Sequence, residues 1–302
     1  MKRDCKKAVS QLPTESTRRM APFTASPRNA RSYLRAGVAC LMPPFLVTVL
    51  AIASTAGSLA SEPETEKKVT AAFSSFVCSD YEHRQPLRGW LASRLVIRES
   101  LSEWYTLQAG TTVTDGSAAD LRTSWASLCS DRTAPLTIGY LGFVKTSSGD
   151  IRLTGGTATQ FPELLARAKP ARRPLHIIIL DCCHAGTVSD VLRSLDSGSQ
   201  WLLAATTGER TFELNVRRRQ PVNLARHYPR TVRWLKRRMP ENWDGRISFL
   251  GFIWIDTFLR TPHPPGPAAE WRDFLNRCAE TAAAFRQNHS RRLASTVTVV
   301  IP

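Results

Sequence analysis

Acidic side chains are scarce in this chain of 302 residues. Its 25 Asp and Glu residues stand against 41 Lys and Arg residues, so the formal net charge is +16. Low-complexity tracts are also absent, and hydrophobic residues make up 42% of the chain. This composition excludes a chain that is disordered throughout, and the length predicts one or two domains with one sizeable core.

Cysteine spacing typical of metal sites is absent as well. None of the seven cysteines forms a Cys-x-x-Cys pair or a zinc-like Cys/His spacing. We therefore expect no metal and no cofactor. In an oxidising compartment, one disulfide among Cys78, Cys129 and Cys278 is an option.

The amino-terminal region resembles an export signal. Residues 1–35 are polar and basic without apolar periodicity, and we interpret them as disordered. Residues 36–60 carry no charge and are long enough to span a bilayer, which takes about 20 residues. Basic residues precede this run and acids follow it, so the amino terminus should face the cytoplasm. Residues 58–60 fit a small-x-small cleavage pattern.

Two interpretations of residues 36–60 remain, and a buried core helix is disfavoured by the basic leader. A cleaved secretory signal is favoured over a retained membrane anchor. Both place residues 61–302 outside the cytoplasm, either periplasmic or secreted, or anchored to the membrane. A membrane is therefore a partner only if the segment is retained.

The most informative stretch is an apolar run at residues 175–180 that ends in a polar turn. The run has no alternation, which predicts a strand buried on both faces of a parallel sheet. The turn then falls at the carboxyl end of the strand, where α/β sheets display reactive groups. The alternative is a core strand followed by a loop with two buried cysteines.

This turn resembles the nucleophile motif of the caspase-like cysteine peptidases, and metacaspases and paracaspases more than animal caspases. The resemblance implies that Cys183 is the nucleophile and that Asp181 lines the primary specificity pocket. A peptide or protein substrate would then carry Arg or Lys before the scissile bond. The other motif positions are the variable residue Cys182, the neighbouring His184 and the turn glycine Gly186.

The second motif of that family is a strand ending in Gly-His-Gly, whose His is the general base. The matching stretch here covers residues 136–144, and Gly142 is its first glycine. The resemblance implies that the main chain near this glycine forms part of the oxyanion hole. Phe143 occupies the position of the His, and no Gly-His-Gly occurs elsewhere. A free thiol has a pKa of about 8.5, and general-base help contributes about 10²–10⁴-fold. The site is therefore either degenerate or served by another base.

The order of elements predicts an α/β fold. Strands over residues 136–142, 175–181 and 201–207 alternate with helices over 162–168 and 188–195, which indicates a mostly parallel sheet with helices on both faces. The resemblance implies the three-layer caspase-like fold over roughly residues 117–302. Four other helices are predicted: one that begins at Ser117, and three over residues 69–76, 249–259 and 268–285. Strands are predicted over residues 95–97, 111–113, 151–153 and 295–301.

The resemblance also implies a division of residues 61–302. A large portion covers 61–213, a basic linker 214–245, and a small portion 246–302. The linker holds nine cations and no acid between residues 217 and 238: Arg217, Arg218, Arg219, Arg226, Arg230, Arg233, Lys236, Arg237 and Arg238. It is a solvated loop and helix, a site of self-processing, or a contact with an anionic surface. We expect no nucleic acid, since no stacking motif is found.

Two classes of function follow from these observations. The first is an exported caspase-like cysteine endopeptidase with Cys183 as nucleophile. The second is a pseudo-peptidase that acts as a binding or scaffold domain because Phe143 replaces the base. A third, weaker hypothesis is a redox-sensing thiol at Cys182 or Cys183.

Overall fold

The structure is a computed structural model. It describes residues 68–79, 88–130, 134–142, 145–147, 150–152, 158–160, 163–164, 175–182, 185, 201–206, 212–219, 222–289 and 297–300. All of these belong to one unit, Pro63–Pro302. The predicted leader and apolar segment lie outside the described residues. In the part that is described, no helix is both long and apolar enough to cross a bilayer.

The described residues form eleven strands and six helices. The strands are β1 Thr70–Val77, β2 Thr106–Thr114, β3 Leu136–Gly142, β4 Lys145–Ser147, β5 Asp150–Arg152, β6 Ala158–Gln160, β7 Leu175–Asp181, β8 Trp201–Thr206, β9 Glu213–Asn215, β10 Arg246–Ser248 and β11 Val297–Val300. The helices are α1 Arg88–Trp104, α2 Ala118–Ser130, α3 Leu224–His227, α4 Pro229–Arg238, α5 Phe249–Phe258 and α6 Ala268–Asn288.

The central element of the fold is a six-stranded sheet with the strand order β11-β8-β7-β3-β1-β2. The pairings from β8 through to β2 are all parallel, and β11 joins β8 antiparallel at one edge. Strands β3 and β7 are buried along their whole length, as their unbroken apolar sequences predict. The predicted α/β class with a mostly parallel sheet is thus confirmed.

Helices cover both faces of this sheet. Alternate side chains point to opposite faces, and Ile138 and Ile177 belong to the same core cluster as residues of α1, α5 and α6. On the opposite face, a Cβ at Gly139 would lie 2.8 Å from Leu128 of α2. Two smaller antiparallel sheets, β4-β5-β6 and β9-β10, complete the described strands.

Helix α5 is buried at every residue. Its sequence has no polar stripe, which is typical of a helix enclosed by other elements. Ser248 caps its amino end, since the hydroxyl accepts a hydrogen bond of 3.0 Å from the Gly251 amide. Trp254 packs edge-on against Phe274 of α6 with ring centroids 4.8 Å apart. The predicted apolar stripe of α6 is confirmed: Trp271, Phe274, Leu275, Cys278 and Ala282 are all buried.

Two predicted elements are wrong. The predicted helix over residues 69–76 is strand β1, and the predicted strand over 95–97 lies inside helix α1. Strand β1 pairs with both β2 and β3, and these long-range hydrogen bonds outweigh the weak local preference of an Ala- and Ser-rich stretch. In α1, Ile97 belongs to a helical stripe with Leu101 and Trp104 that is not visible in a three-residue window.

Other local predictions are confirmed where the structure describes them. Helix α2 begins after Ser117, whose amide donates to Asp120 over 2.7 Å and whose hydroxyl accepts from the Asp120 amide over 3.3 Å. The Ser117 hydroxyl also donates to the Asp120 carboxylate over 2.7 Å, and this bond, together with the one from the Ser117 amide, lowers the pKa of Asp120. Strand β2 includes the predicted stretch 111–113, and strands β8 and β11 lie within the predicted stretches 201–207 and 295–301. The predicted helix over 188–195 lies outside the described residues, and of 162–168 only the helical residues 163 and 164 are described.

The basic segment is built into the fold. Strand β9 pairs with β10 across it, and helix α4 buries Val232, Trp234 and Leu235. Its Thr231 hydroxyl donates a 2.6 Å hydrogen bond to Asp256 of α5. Helix α4 of this segment is therefore packed against α5, and its basic side chains are exposed.

The described cysteines are buried. Cys278 is a free thiol inside the core, and burial raises its pKa to about 12. This excludes Cys278 from the disulfide considered above. Cys78 and Cys182 are also buried, whereas the side chain of Cys129 lies outside the described part.

Close packing between α1 and α5 yields a test of the fold. A Cβ at Gly251 would lie 2.6 Å from Ser93 Cβ. We expect Gly251→Ala to lower the free energy of unfolding by about 1–3 kcal/mol, because α1 and α5 must move apart. Gly266→Ala is the matched control, since its nearest neighbour would be Glu270 at 3.6 Å. Urea denaturation measures both, and equal effects would contradict this packing.

Candidate active site at the carboxyl end of the sheet

Strands β3 and β7 end side by side. Their parallel register pairs Gly142 with Asp181, the last residue of each strand. The Gly142 carbonyl is held from the other side, because it accepts a 3.1 Å hydrogen bond from the Cys78 amide beyond β1. The segments that leave both strands therefore start from neighbouring points on one edge of the sheet.

The structure describes three of the predicted site residues: Asp181, Cys182 and Gly142. It places Asp181 and Cys182 at the buried end of β7 and Gly142 beside them. The other predicted residues, Cys183, His184, Gly186 and Phe143, lie outside the described residues. Their roles, and those of the three described residues, stay predictions.

Asp181 is fully buried, and three separate elements contact it. Tyr140 of β3 donates a 2.8 Å hydrogen bond to Oδ2, and the Ser248 hydroxyl at the end of β10 donates to the same oxygen. The indole of Trp90 in α1 donates to the main-chain carbonyl of Asp181 over 2.7 Å. The end of β7 is thereby tied to β3, to α1 and to the start of α5.

A second serine extends this network. The Ser93 hydroxyl of α1 lies 2.6 Å from the Ser248 hydroxyl and accepts a 3.0 Å hydrogen bond from the Ser248 amide. Both serines are fully buried. Buried hydroxyls are costly unless they are paired, so this pairing fixes how α1 and α5 meet beneath Asp181.

The carboxyl group of Asp181 is unevenly satisfied. Both hydroxyl donors reach Oδ2, while Oδ1 is buried with no hydrogen-bond partner among the described residues. No described cation forms an ion pair with it. Burial raises the pKa of Asp181 to about 6, against the opposing effect of the Ser248 and Tyr140 hydrogen bonds. Burial and this carboxylate also raise the pKa of Tyr140.

This arrangement favours a cationic ligand. A buried carboxylate without a counter-charge is unfavourable, and a guanidinium or ammonium group that reached Oδ1 would compensate it. In the described part of the chain, no group of three or more His, Cys, Asp or Glu residues is placed to hold a metal ion.

The described histidines are His176, His227, His263 and His289. His176 is buried at the opposite end of β7 from Asp181, where it bonds Thr137, and burial lowers its pKa to about 4. Four residues of strand lie between His176 and Asp181, which places their Cα atoms about 16 Å apart. His227 and His289 lie beside Tyr228, and His263 follows α5 in the chain. His83, like His184, is outside the described residues.

The sequence points to Asp181 but not to its partners Ser248 and Trp90, nor to Ser93, which bonds Ser248. Ser248 carries one local signal, since a serine before an apolar helix is a typical cap. Its contact with Asp181 has no such signal, because the two residues lie 67 positions apart.

Comparison with protein-family models finds no match for this chain, and comparison with curated proteins finds no similar sequence.

The buried carboxyl group predicts an unusual pH dependence. Because its pKa is raised in the folded protein, the folded state holds a proton that the unfolded state has released between pH 4 and pH 6. Stability contributed by this group is present at low pH and is lost as the pH rises through about 6. We expect Asp181→Asn to gain about 3 kcal/mol relative to wild type between pH 4 and pH 7.

Urea unfolding of both proteins across this range measures the difference. Asp273→Asn, on the exposed face of α6, is the control and should track wild type at every pH. If the stability of wild type and of Asp181→Asn changed with pH in the same way, the raised pKa of Asp181 would be contradicted.

Proposed function

We propose that this chain is a caspase-like cysteine endopeptidase that acts outside the cytoplasm. Cys183 is its nucleophile, and Asp181 selects Arg or Lys before the scissile bond. The observation that carries the proposal is the buried Asp181 carboxylate, which ends the central strand β7 two residues before Cys183 and whose Oδ1 has no hydrogen-bond partner among the described residues. A substrate cation is the group that this oxygen lacks.

The position of the thiol in the fold supports the same chemistry. Cys183 follows a strand in the middle of a parallel sheet, and ligands of such sheets bind beyond the carboxyl ends of the strands. The segment after Gly142 leaves the neighbouring strand at the same edge. In the family that the motif resembles, that segment supplies the general base and part of the oxyanion hole.

The proposed reaction is acyl transfer through a thioester. The Cys183 sulfur forms a bond to the substrate carbonyl carbon, the carbon–nitrogen bond breaks, and the amine leaves with a proton. Water then hydrolyses the thioester, which returns the thiol and releases the carboxylic acid. Phe143 cannot carry the proton in either step, so a different group must act as base.

A pseudo-peptidase is the second candidate, and Phe143 is the observation that favours it. With the fold and the cation-binding carboxylate intact, such a protein would bind peptides with exposed Arg or Lys without cleaving them. The two candidates share Asp181 and differ only in turnover. They are therefore distinguished by restoring or removing single catalytic groups.

The decisive experiment assays the full chain on fluorogenic peptides ending in Arg or Lys. We expect wild type to cleave them and Cys183→Ala to lose at least about 10³-fold in kcat/KM, because no other group replaces the thiolate. Phe143→His is assayed beside them, because a general base contributes about 10²–10⁴-fold where none is present. Cys182→Ala is the matched control and should retain activity.

Each outcome separates the candidates. Cleavage by wild type that persists in Cys183→Ala would contradict the assigned nucleophile. Absence of cleavage by wild type, together with cleavage by Phe143→His, would contradict the peptidase and support the pseudo-peptidase. Equal cleavage of peptides ending in Arg and in Ala would contradict the role of Asp181 in selectivity.

A further inference from the structure

A basic concavity lies on the surface between the β9 turn and helix α4. Its volume is about 420 Å³, which is within the range of small-molecule sites. Four cations line it, namely Arg217, Arg218, Arg219 and Lys236, together with Asn223 and two small apolar residues. No carboxylate is among the lining residues that the structure describes.

The four cations have no counter-charge within the described part of the chain. Two arginines that do not line the cavity are paired: Arg238 lies 2.6 Å from Glu103, and Arg246 lies 3.5 Å from Glu213. Arg217, Arg218, Arg219 and Lys236 form no ion pair with any described acid. Four like charges around one cavity repel each other, and a bound anion would relieve this repulsion.

The turn that carries the arginines is held in place. The Asn215 side-chain oxygen accepts hydrogen bonds from the amides of Arg217 and Arg218 over 3.0 Å and 3.2 Å. Gly245 has φ +86°, and a Cβ there would lie 2.7 Å from Arg217 Cγ, so only glycine leaves room for this arginine stem. The Val216 amide donates to the Gly245 carbonyl over 2.9 Å. The turn is thus anchored to β10.

Lys236 is presented by a rigid element as well. It lies in the last turn of α4, whose Trp234 and Leu235 are buried in the core. The cations on both sides of the cavity therefore stand on backbone that tertiary packing fixes. Such pre-organisation is what separates a binding site from a diffuse basic surface.

We propose that this concavity binds a compact polyanion with two or more adjacent phosphate groups. Arginine guanidinium groups match phosphate oxygens in pairs, and a terminal phosphate carries about −1.5 to −2 charge at pH 7. Two such groups balance the four cations. Among the described lining residues none is aromatic, and these residues therefore offer no stacking surface for the bases of a nucleic acid. The site is separate from Asp181 and does not depend on peptidase activity.

Titration calorimetry with inorganic tripolyphosphate tests the proposal on the purified full chain in nonionic detergent. We expect tripolyphosphate to bind at least about tenfold more tightly than inorganic phosphate, because it engages more of the four cations. The double variant Arg218→Gln/Arg219→Gln should weaken tripolyphosphate binding by at least about tenfold.

The matched control is Arg233→Gln/Arg237→Gln. It removes the same charge from exposed positions of α4 that do not line the cavity. It should change affinity by less than about threefold. Equal weakening by the two double variants would overturn the proposal in favour of diffuse attraction, and so would an absence of tripolyphosphate binding by wild type.

A lipid headgroup and a free oligophosphate offer the same chemistry. Flotation with phosphatidylcholine vesicles, with or without 5% phosphatidylinositol bisphosphate, distinguishes them. A gain in binding on adding the phosphorylated lipid that is lost in Arg218→Gln/Arg219→Gln assigns the site to a headgroup. No such gain, with tripolyphosphate binding intact, assigns it to a soluble ligand.

Discussion

The burial of Asp181 is the constraint on which this structure depends. Its carboxyl group accepts hydrogen bonds from the Tyr140 and Ser248 hydroxyls, and its main-chain carbonyl accepts one from the Trp90 indole. These bonds bring a central strand, the first helix and the cap of the buried helix α5 to one point. Since a buried carboxylate is costly, the surrounding hydroxyls are needed to keep it there. The raised pKa of Asp181 is the measurable trace of that cost.

This cost is informative about function. A fold that needed only stability would be better served by an apolar residue at position 181, because replacing buried ionic groups by well-packed apolar ones is often neutral or stabilising. A carboxylate that is half satisfied, at the sheet edge next to a Cys-Cys-His sequence, is better explained by a ligand that completes it. The proposed substrate cation is such a ligand. The pseudo-peptidase alternative uses the same carboxylate and lacks only the proton transfer.

The antiparallel pair of strands β9 and β10 contributes to both proposed sites. At one end of β10, Ser248 bonds Asp181, and just before its other end Gly245 makes room for Arg217. A segment that the sequence suggests to be a basic linker is thus a structural bridge. Its cations stand outward because the apolar residues between them, Val232, Trp234 and Leu235, are needed by the core.

The sequence by itself determined the elements whose pattern is long and unambiguous. The continuous apolar runs of β3 and β7, the stripe of α6 and the capping box before α2 are all visible locally, because backbone periodicity and capping depend on neighbours within a few residues. Tertiary structure decided the rest. It turned residues 69–76 into a strand through pairing with β2 and β3, and it surrounded Asp181 with partners 41, 67 and 91 positions away. Contacts over such distances leave no trace in local pattern, since they exist only after the sheet and helices have packed.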